Sequence, residues 1–388
     1  MRPCIDPSML GPARVVNEIT PPFQNSTAKE KESYMTTRNS IIPRLAAASM
    51  AGLLVAGGAA PALACTVTGN GSTAFATIQA AVNAGAIVIN FTGTDCGPFV
   101  FIFHPVTLAG TGATPADNVI TQGITVQGAQ RVFIINAQIG GDTSNPDNSG
   151  VNILEGASVR VLNSNIESTV QGVSVVRGSV AFIRNSAIQG RAPSTFNDVS
   201  NVFAGDHSLI RLENTTVTMN ESNNLVGPLT VFRNSELLLR GGNSITNTGS
   251  LQAIQVGNNS ILRQDDPGVD ATPPVDGTPD AINGGIMIGS KSVADVRDLT
   301  IAGDVVVDLD SVFSVGATDF GGEPEDIVIT GNITASRQSI IAFESPLPTV
   351  NGNITCKDTQ SHLSGKAVFN GTVNCLGFTP LSNQGNQP

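Results

Sequence analysis

The chain has 388 residues, 40% of them apolar and only 13% charged, with a formal charge of −11. That acidity excludes a general nucleic-acid binder, which needs a basic face, and electrostatic docking on an anionic membrane. The apolar content excludes disorder of the whole chain.

Residues 1–34 show no periodicity and read as a disordered extension or a mis-called start ahead of Met35. Residues 35–64 read as a signal peptide. Arg38 and Arg44 give the basic start, Leu45 to Ala60 the apolar stretch, and Ala62-Leu63-Ala64 the cleavage site. The stretch falls short of the roughly 20 apolar residues that a spanning helix needs. The expected location is therefore secreted, periplasmic or at the cell surface, with no membrane span. Lipidation of Cys65 competes with simple cleavage, although Ala62 stands where a lipobox places Leu. Loss of residues 1–64 removes six basic and four acidic residues, taking the charge from −11 to −13. It also removes Tyr34, the only tyrosine, from a chain without tryptophan.

Ser72 to Gly85 predicts a short amphipathic helix. Phe75, Ile78 and Val82 lie on one face, Ser72 or Thr73 caps the start and Gly85 ends it. Beyond residue 90 the pattern changes to internal repeats. Gly150, Gly156, Asn163, Ser164 and Ile166 map onto Gly172, Gly178, Asn185, Ser186 and Ile188, each 22 residues on. The Asn-small-x-aliphatic phrase recurs at Asn136, Asn214 and Asn234. A second phrase, aliphatic-x-Gly-x-aliphatic, recurs around Gly303, Gly331, Gly352 and Gly371. Runs such as Val159-Arg160-Val161 alternate with period two and break at Gly, Asn, Asp and Ser, as strands and turns do. A repeat this short cannot bury a core alone, whereas stacked coils with parallel strands can.

The predicted fold is all-β: a single right-handed parallel β-helix over residues 65–378, with a short N-terminal capping helix, an insertion loop at 265–283 and a disordered tail at 379–388. The repeats and the N-terminal amphipathic segment resemble the pectin-lyase-like parallel β-helix family over roughly residues 72–376. About 300 residues at roughly 24 per coil predict about twelve coils, each about 4.8 Å further along the axis. Within that frame Asn136, Asn163, Asn185, Asn214 and Asn234 read as a stacked amide ladder. The sequons at Asn332, Asn353 and Asn370 read as ladder residues too. Asn351-Gly-Asn-Ile-Thr-Cys356 aligns over Asn370-Gly-Thr-Val-Asn-Cys375, which places Cys356 and Cys375 one coil apart at bonding distance. Cys65 then pairs with Cys96 at the other end. An even cysteine count in an exported chain suits disulfides.

The chemistry is less legible. The best candidate metal set is Asp265, Asp266, Asp270, Asp276 and Asp280, a possible calcium group beside Arg263. Asp304, Asp308 and Asp310 form a weaker acidic set, with Asp308 and Asp310 expected on one strand face. Asp206-His207 near Arg211 is the only local acid/base-like group, and polygalacturonase-type signatures do not occur in order. Arg184 and Arg233 each precede Asn-Ser and read as equivalent positions, with Arg160, Arg177, Arg211 and Arg240 nearby, in a basic row that could contact an acidic glycan. Charge balance on a strand face is the competing reading. Two functions remain. The first is an exported non-catalytic protein with a structural, adhesive or surface-binding role, whose partner is a polysaccharide or another cell-surface component and which needs no cofactor. The alternative, implied by the resemblance alone, is a polysaccharide lyase or related enzyme acting on acidic glycans, with calcium as its ion.

Overall fold

The computed structural model describes residues 65–97, 99–140, 150–168, 171–190, 200–219, 227–249, 252–264, 279–316, 327–343 and 348–375. They build three long sheets. Sheet I has 12 strands, beginning at Phe99–Ile102; sheet II has 14, including Cys65–Gly69 and Thr73–Phe75; sheet III has 11, beginning at Val119–Ile120. Successive strands visit sheets I, II and III in turn, and strands from neighbouring coils pair in parallel. This is a parallel β-helix, and the twelve strands of sheet I match the expected number of coils.

Alternation explains the core. In sheet I the register stacks Val100, Ile124, Val151, Val173, Val202, Leu229, Ile254, Ile286, Val305, Ile333, Ile354 and Val373 into one inward aliphatic column. All but Val373, in the end coil, are buried. The residue between each pair of inward positions lies on the opposite face of the pleat, where most are partly exposed but Thr125, Ser174 and Thr230 are buried as well.

The N-terminal end is closed by a different device. Strand β1 (Cys65–Gly69) runs antiparallel to β2 (Thr73–Phe75) and to β3 (Val88–Gly93). Helix α1 (Ile78–Asn83) buries Ile78, Ala81 and Val82 over the first coil. The helix starts later than the sequence suggests. Ser72 and Thr73 do not cap it, because Thr73 to Phe75 are drawn into pairing with β1; the N-cap is Thr77, whose Oγ1 accepts from Ala80 N at 3.1 Å. Gly85 ends the turn as expected, at a left-handed φ of 76°. Gln79 then seals the edge of strand β4 (Phe99–Ile102): its Oε1 accepts from Phe101 N at 2.6 Å and its Nε2 donates to Phe101 O at 3.3 Å.

Both disulfides join the expected partners, Cys65–Cys96 with Cα atoms 4.9 Å apart and Cys356–Cys375 with Cα atoms 4.7 Å apart. With its sulfur in that bond, Cys65 offers no thiol for lipid attachment. Among the described residues no helix is long and apolar enough to cross a membrane.

The two sequence repeats mark different corners. Asn136, Asn163, Asn185 and Asn214 all adopt left-handed φ between 46° and 53° where sheet II turns into sheet III. Asn214 Nδ2 donates to Asn185 Oδ1 at 2.8 Å, one rung of the expected amide ladder. Asn234 does not belong to it. It follows Arg233 in the turn from sheet I to sheet II, one strand earlier in its coil. The glycine phrase marks the corner from sheet III to sheet I. A Cβ on Gly331 would lie 2.3 Å from the carbonyl oxygen of Gly303, so this column admits no side chain. The sequon asparagines tie coils together there: Asn332 Oδ1 accepts from Asn353 N at 3.1 Å, and Asn353 Oδ1 accepts from Thr372 N at 3.0 Å. Asn370 Nδ2 donates to Asn351 Oδ1 at 2.7 Å.

A further ladder escaped the sequence reading. Ser179, Ser208, Ser235, Ser260, Ser292, Ser311, Ser339 and Ser361 stack inside the turn from sheet I to sheet II, all at most 2% exposed. Each backbone N–H from Ser179 to Ser339 donates to the hydroxyl one coil on, at 3.1 to 3.4 Å, and Ser361 N donates to Asp358 Oδ1. The signal was present: each of these serines stands one residue ahead of a sheet II strand.

Candidate functional site

The structure redistributes the residues that the sequence put forward. Of the five candidate calcium ligands, Asp265, Asp266, Asp270 and Asp276 lie outside the described residues. Asp280 is described, and it faces the interior. It is 0% exposed, in register with Asn243, which in turn stacks on Thr215. Its Oδ1 accepts from Asn243 N at 2.8 Å and from Asn243 Nδ2 at 2.9 Å, and its Oδ2 accepts from Gln264 Nε2 at 2.8 Å. Burial, with a smaller push from the nearby Asp298, raises its carboxyl to about 7 against those hydrogen bonds. Asp280 is therefore a rung of an interior ladder at the corner between sheets II and III. Among the described residues no three His, Cys, Asp or Glu side chains gather as a metal set.

The other acidic groups are engaged by neighbouring coils. Asp304 Oδ1 accepts from Asn332 N at 2.8 Å. Asp308 accepts from Ser336 Oγ at 2.7 Å and pairs with Arg337 at 3.6 Å. Asp310 has a left-handed φ of 58° in the turn beyond, so it does not share a strand face with Asp308. Asp206 pairs with Arg233 at 3.2 Å, while the His207 ring approaches Asn234 at 3.5 Å. The acid/base-like dipeptide thus splits between two partners.

Arg184 and Arg233 are not equivalent positions. Arg184 ends the sheet II strand Val180–Arg184, in register with Glu213, and pairs with it at 3.2 Å. Arg233 lies in the corner between sheets I and II, where Arg177 with Glu155 and Arg233 with Asp206 make ion pairs between neighbouring coils. Both phrases read Arg-Asn-Ser because both corners demand a left-handed residue followed by a buried hydroxyl. Pairing register alone separates them.

What the register assembles instead is a row on the outer face of sheet II: Phe133, Arg160, Phe182, Arg211, Leu238 and Arg263, one per coil. The Arg160 guanidinium stands 5.7 Å from the Phe133 ring centroid and 5.5 Å from that of Phe182; Arg211 stands 5.9 Å from Phe182. These distances are within the range of cation–π attraction. Arg211 is also held by Glu213 at 3.3 Å and Arg263 by Glu236 at 3.5 Å. Comparison with known protein families, with curated proteins and with solved structures finds no match for this chain.

Proposed function

We propose that the chain is an exported, non-catalytic β-helix protein of pectin-lyase-like architecture, with a structural, adhesive or surface-binding role. One observation carries this reading: among the described candidate site residues, the aspartates Asp206, Asp280, Asp304 and Asp308 are committed to holding coils together. Asp280, Asp304 and Asp308 each accept hydrogen bonds from another coil, and Asp206 pairs with Arg233 from the next. The aliphatic column runs the length of sheet I and the serine column runs without a break from Ser179 to Ser361, and a disulfide lies near each end. Such construction favours persistence and a regular outer surface, and the disulfides suit an oxidising compartment. The test is incubation with acidic polysaccharides, with and without Ca²⁺, under continuous ultraviolet detection of unsaturated products. No turnover is expected. Calcium-dependent release of unsaturated sugars would overturn the proposal in favour of a lyase.

A further inference from the structure

We infer that the outer face of sheet II between Arg131 and Arg263 is a binding face for a linear acidic polysaccharide bearing carboxylate or sulfate groups. The inference rests on the non-catalytic binding role and adds to it the site and the ligand chemistry.

Charge is the first argument. In and directly beside the six sheet II strands from Val132 to Gln264 stand Arg131, Arg160, Arg184, Arg211, Arg240 and Arg263, against Glu213, Glu236 and Asp265, the last of which lies outside the described residues; one coil further, Asp295 is in register with Arg263. On a chain of net charge −11 this is a local reversal of sign. Glu213 cannot neutralise it, since one carboxylate already serves both Arg184 and Arg211. Arg131 and Arg160 are exposed and form no ion pair among the described residues. The Nε of Arg240 is buried without a hydrogen-bond partner.

Preorganisation is the second. Arg160 stands between two rings, which favour one placement of its guanidinium before any ligand arrives, while its donors bond to no described residue. Fixing a side chain beforehand lowers the entropy lost on binding. A planar guanidinium suits bidentate contact with a carboxylate or a sulfate.

Spacing is the third. Arg160, Arg211 and Arg263 occupy every second coil, about 9.6 Å apart at the inter-strand spacing. Phe182 and Leu238 fill the places between. A cation, an apolar surface and a cation in sequence match a polymer of sugar rings, whose apolar faces pack on Phe or Leu while acidic groups recur at the cations. The array is repetitive because the coils are, so it suits a repetitive ligand better than a compact one.

Binding is measured by affinity electrophoresis and biolayer interferometry on alginate as the carboxylate probe, dextran sulfate as the sulfate probe, and neutral dextran and single-stranded DNA as controls. The wild-type chain is expected to bind at least one acidic polysaccharide, more weakly as salt rises, and to ignore neutral dextran. Arg160→Gln, on the exposed face, is expected to bind about tenfold more weakly, the scale of one lost charge-assisted contact. Arg160→Lys keeps the charge without the plane and should recover only part of the loss. Arg337→Gln removes the same charge at a corner position paired with Asp308 and should bind as wild type. Equal binding by Arg160→Gln, an equal loss in Arg337→Gln, or equal retention on single-stranded DNA overturns the site. Ultraviolet product detection in the same samples separates the two failures. An inert chain with an unaffected Arg160 variant loses the site but keeps the non-catalytic role, whereas turnover removes that role.

Discussion

Asp280→Asn should change the sign of its effect on stability with pH. The carboxyl of Asp280 titrates at about 7 in the fold against 3.8 as the ordinary value. Between those values the folded state binds the proton and the unfolded state releases it. Stability therefore falls as pH rises from about 4 to about 7 and is flat on either side. About three pH units at about 1.36 kcal/mol each give up to about 4 kcal/mol lost by pH 8.5. Asparagine carries no charge and escapes that loss. It brings a different penalty, because its amide must replace an oxygen that accepts. With Oδ1 kept toward the two Asn243 donors, Nδ2 faces Gln264 Nε2, where Oδ2 now accepts at 2.8 Å. Gln264 cannot turn its oxygen inward without loss, since Oε1 accepts from Arg297 N at 3.0 Å and Asp298 N at 3.1 Å. A donor set against a donor in a buried site costs about 1–3 kcal/mol. At pH 4.5 wild type has already lost about 1 kcal/mol to this titration, so the variant should be less stable than wild type by about 1 kcal/mol at pH 4.5 and more stable by about 2 kcal/mol at pH 8.5. Calorimetric melting of both proteins at matched ionic strength measures it. Equal destabilisation at both pH values would refute the reasoning, since Asp280 would then act only as a hydrogen-bond acceptor.

Gly331→Ala and Gly128→Ala should separate steric exclusion from backbone conformation. A Cβ at Gly331 meets Gly303 O at 2.3 Å, while at Gly128, with φ of 65°, nothing lies within 4 Å. The first should lose about 3 kcal/mol and the second about 1 kcal/mol in melting experiments, and equal losses would argue against the close stacking. The double variant Cys356→Ser with Cys375→Ser opens a loop of 19 residues and should lose up to about 3 kcal/mol. Hydrogen exchange should show the lost protection confined to the last coil, residues 362–375; loss spread along the stack would contradict local clipping.

The architecture was legible because its signals are local. Period-two alternation such as Val159-Arg160-Val161 reports a strand facing core and solvent by turns. Asparagine at Asn163 and Asn185 reports a left-handed corner, a conformation that few other residues adopt easily. The cysteine register followed for the same reason, since Cys356 and Cys375 sit in adjacent coils with no insertion to disturb the offset. The helix start was misplaced because Thr73–Phe75 can serve equally as a capped turn or as an edge strand, and only pairing with β1 decides.

The sequence offered Arg160 and Arg211 as members of a basic row, but the register of that face of sheet II and its Phe and Leu members were illegible, because they are neighbours across coils and not along the chain. Phe133, Arg160, Phe182 and Arg211 are separated by 27, 22 and 29 residues. Segments of unequal length between strands prevent any fixed period from aligning them. Asp280 shows the same problem in reverse. Its setting among Asp265, Asp266, Asp270 and Asp276 suggests a solvated acidic loop, yet pairing with Leu299 and stacking on Asn243 turn it inward. In a strand, a shift of one residue exchanges the inner and outer faces. Any segment of unspecified length therefore erases the knowledge of which face its flanking residues occupy. That knowledge returns only when the next hydrogen-bonded pair is fixed, and it decides whether a carboxylate meets solvent or supports the core.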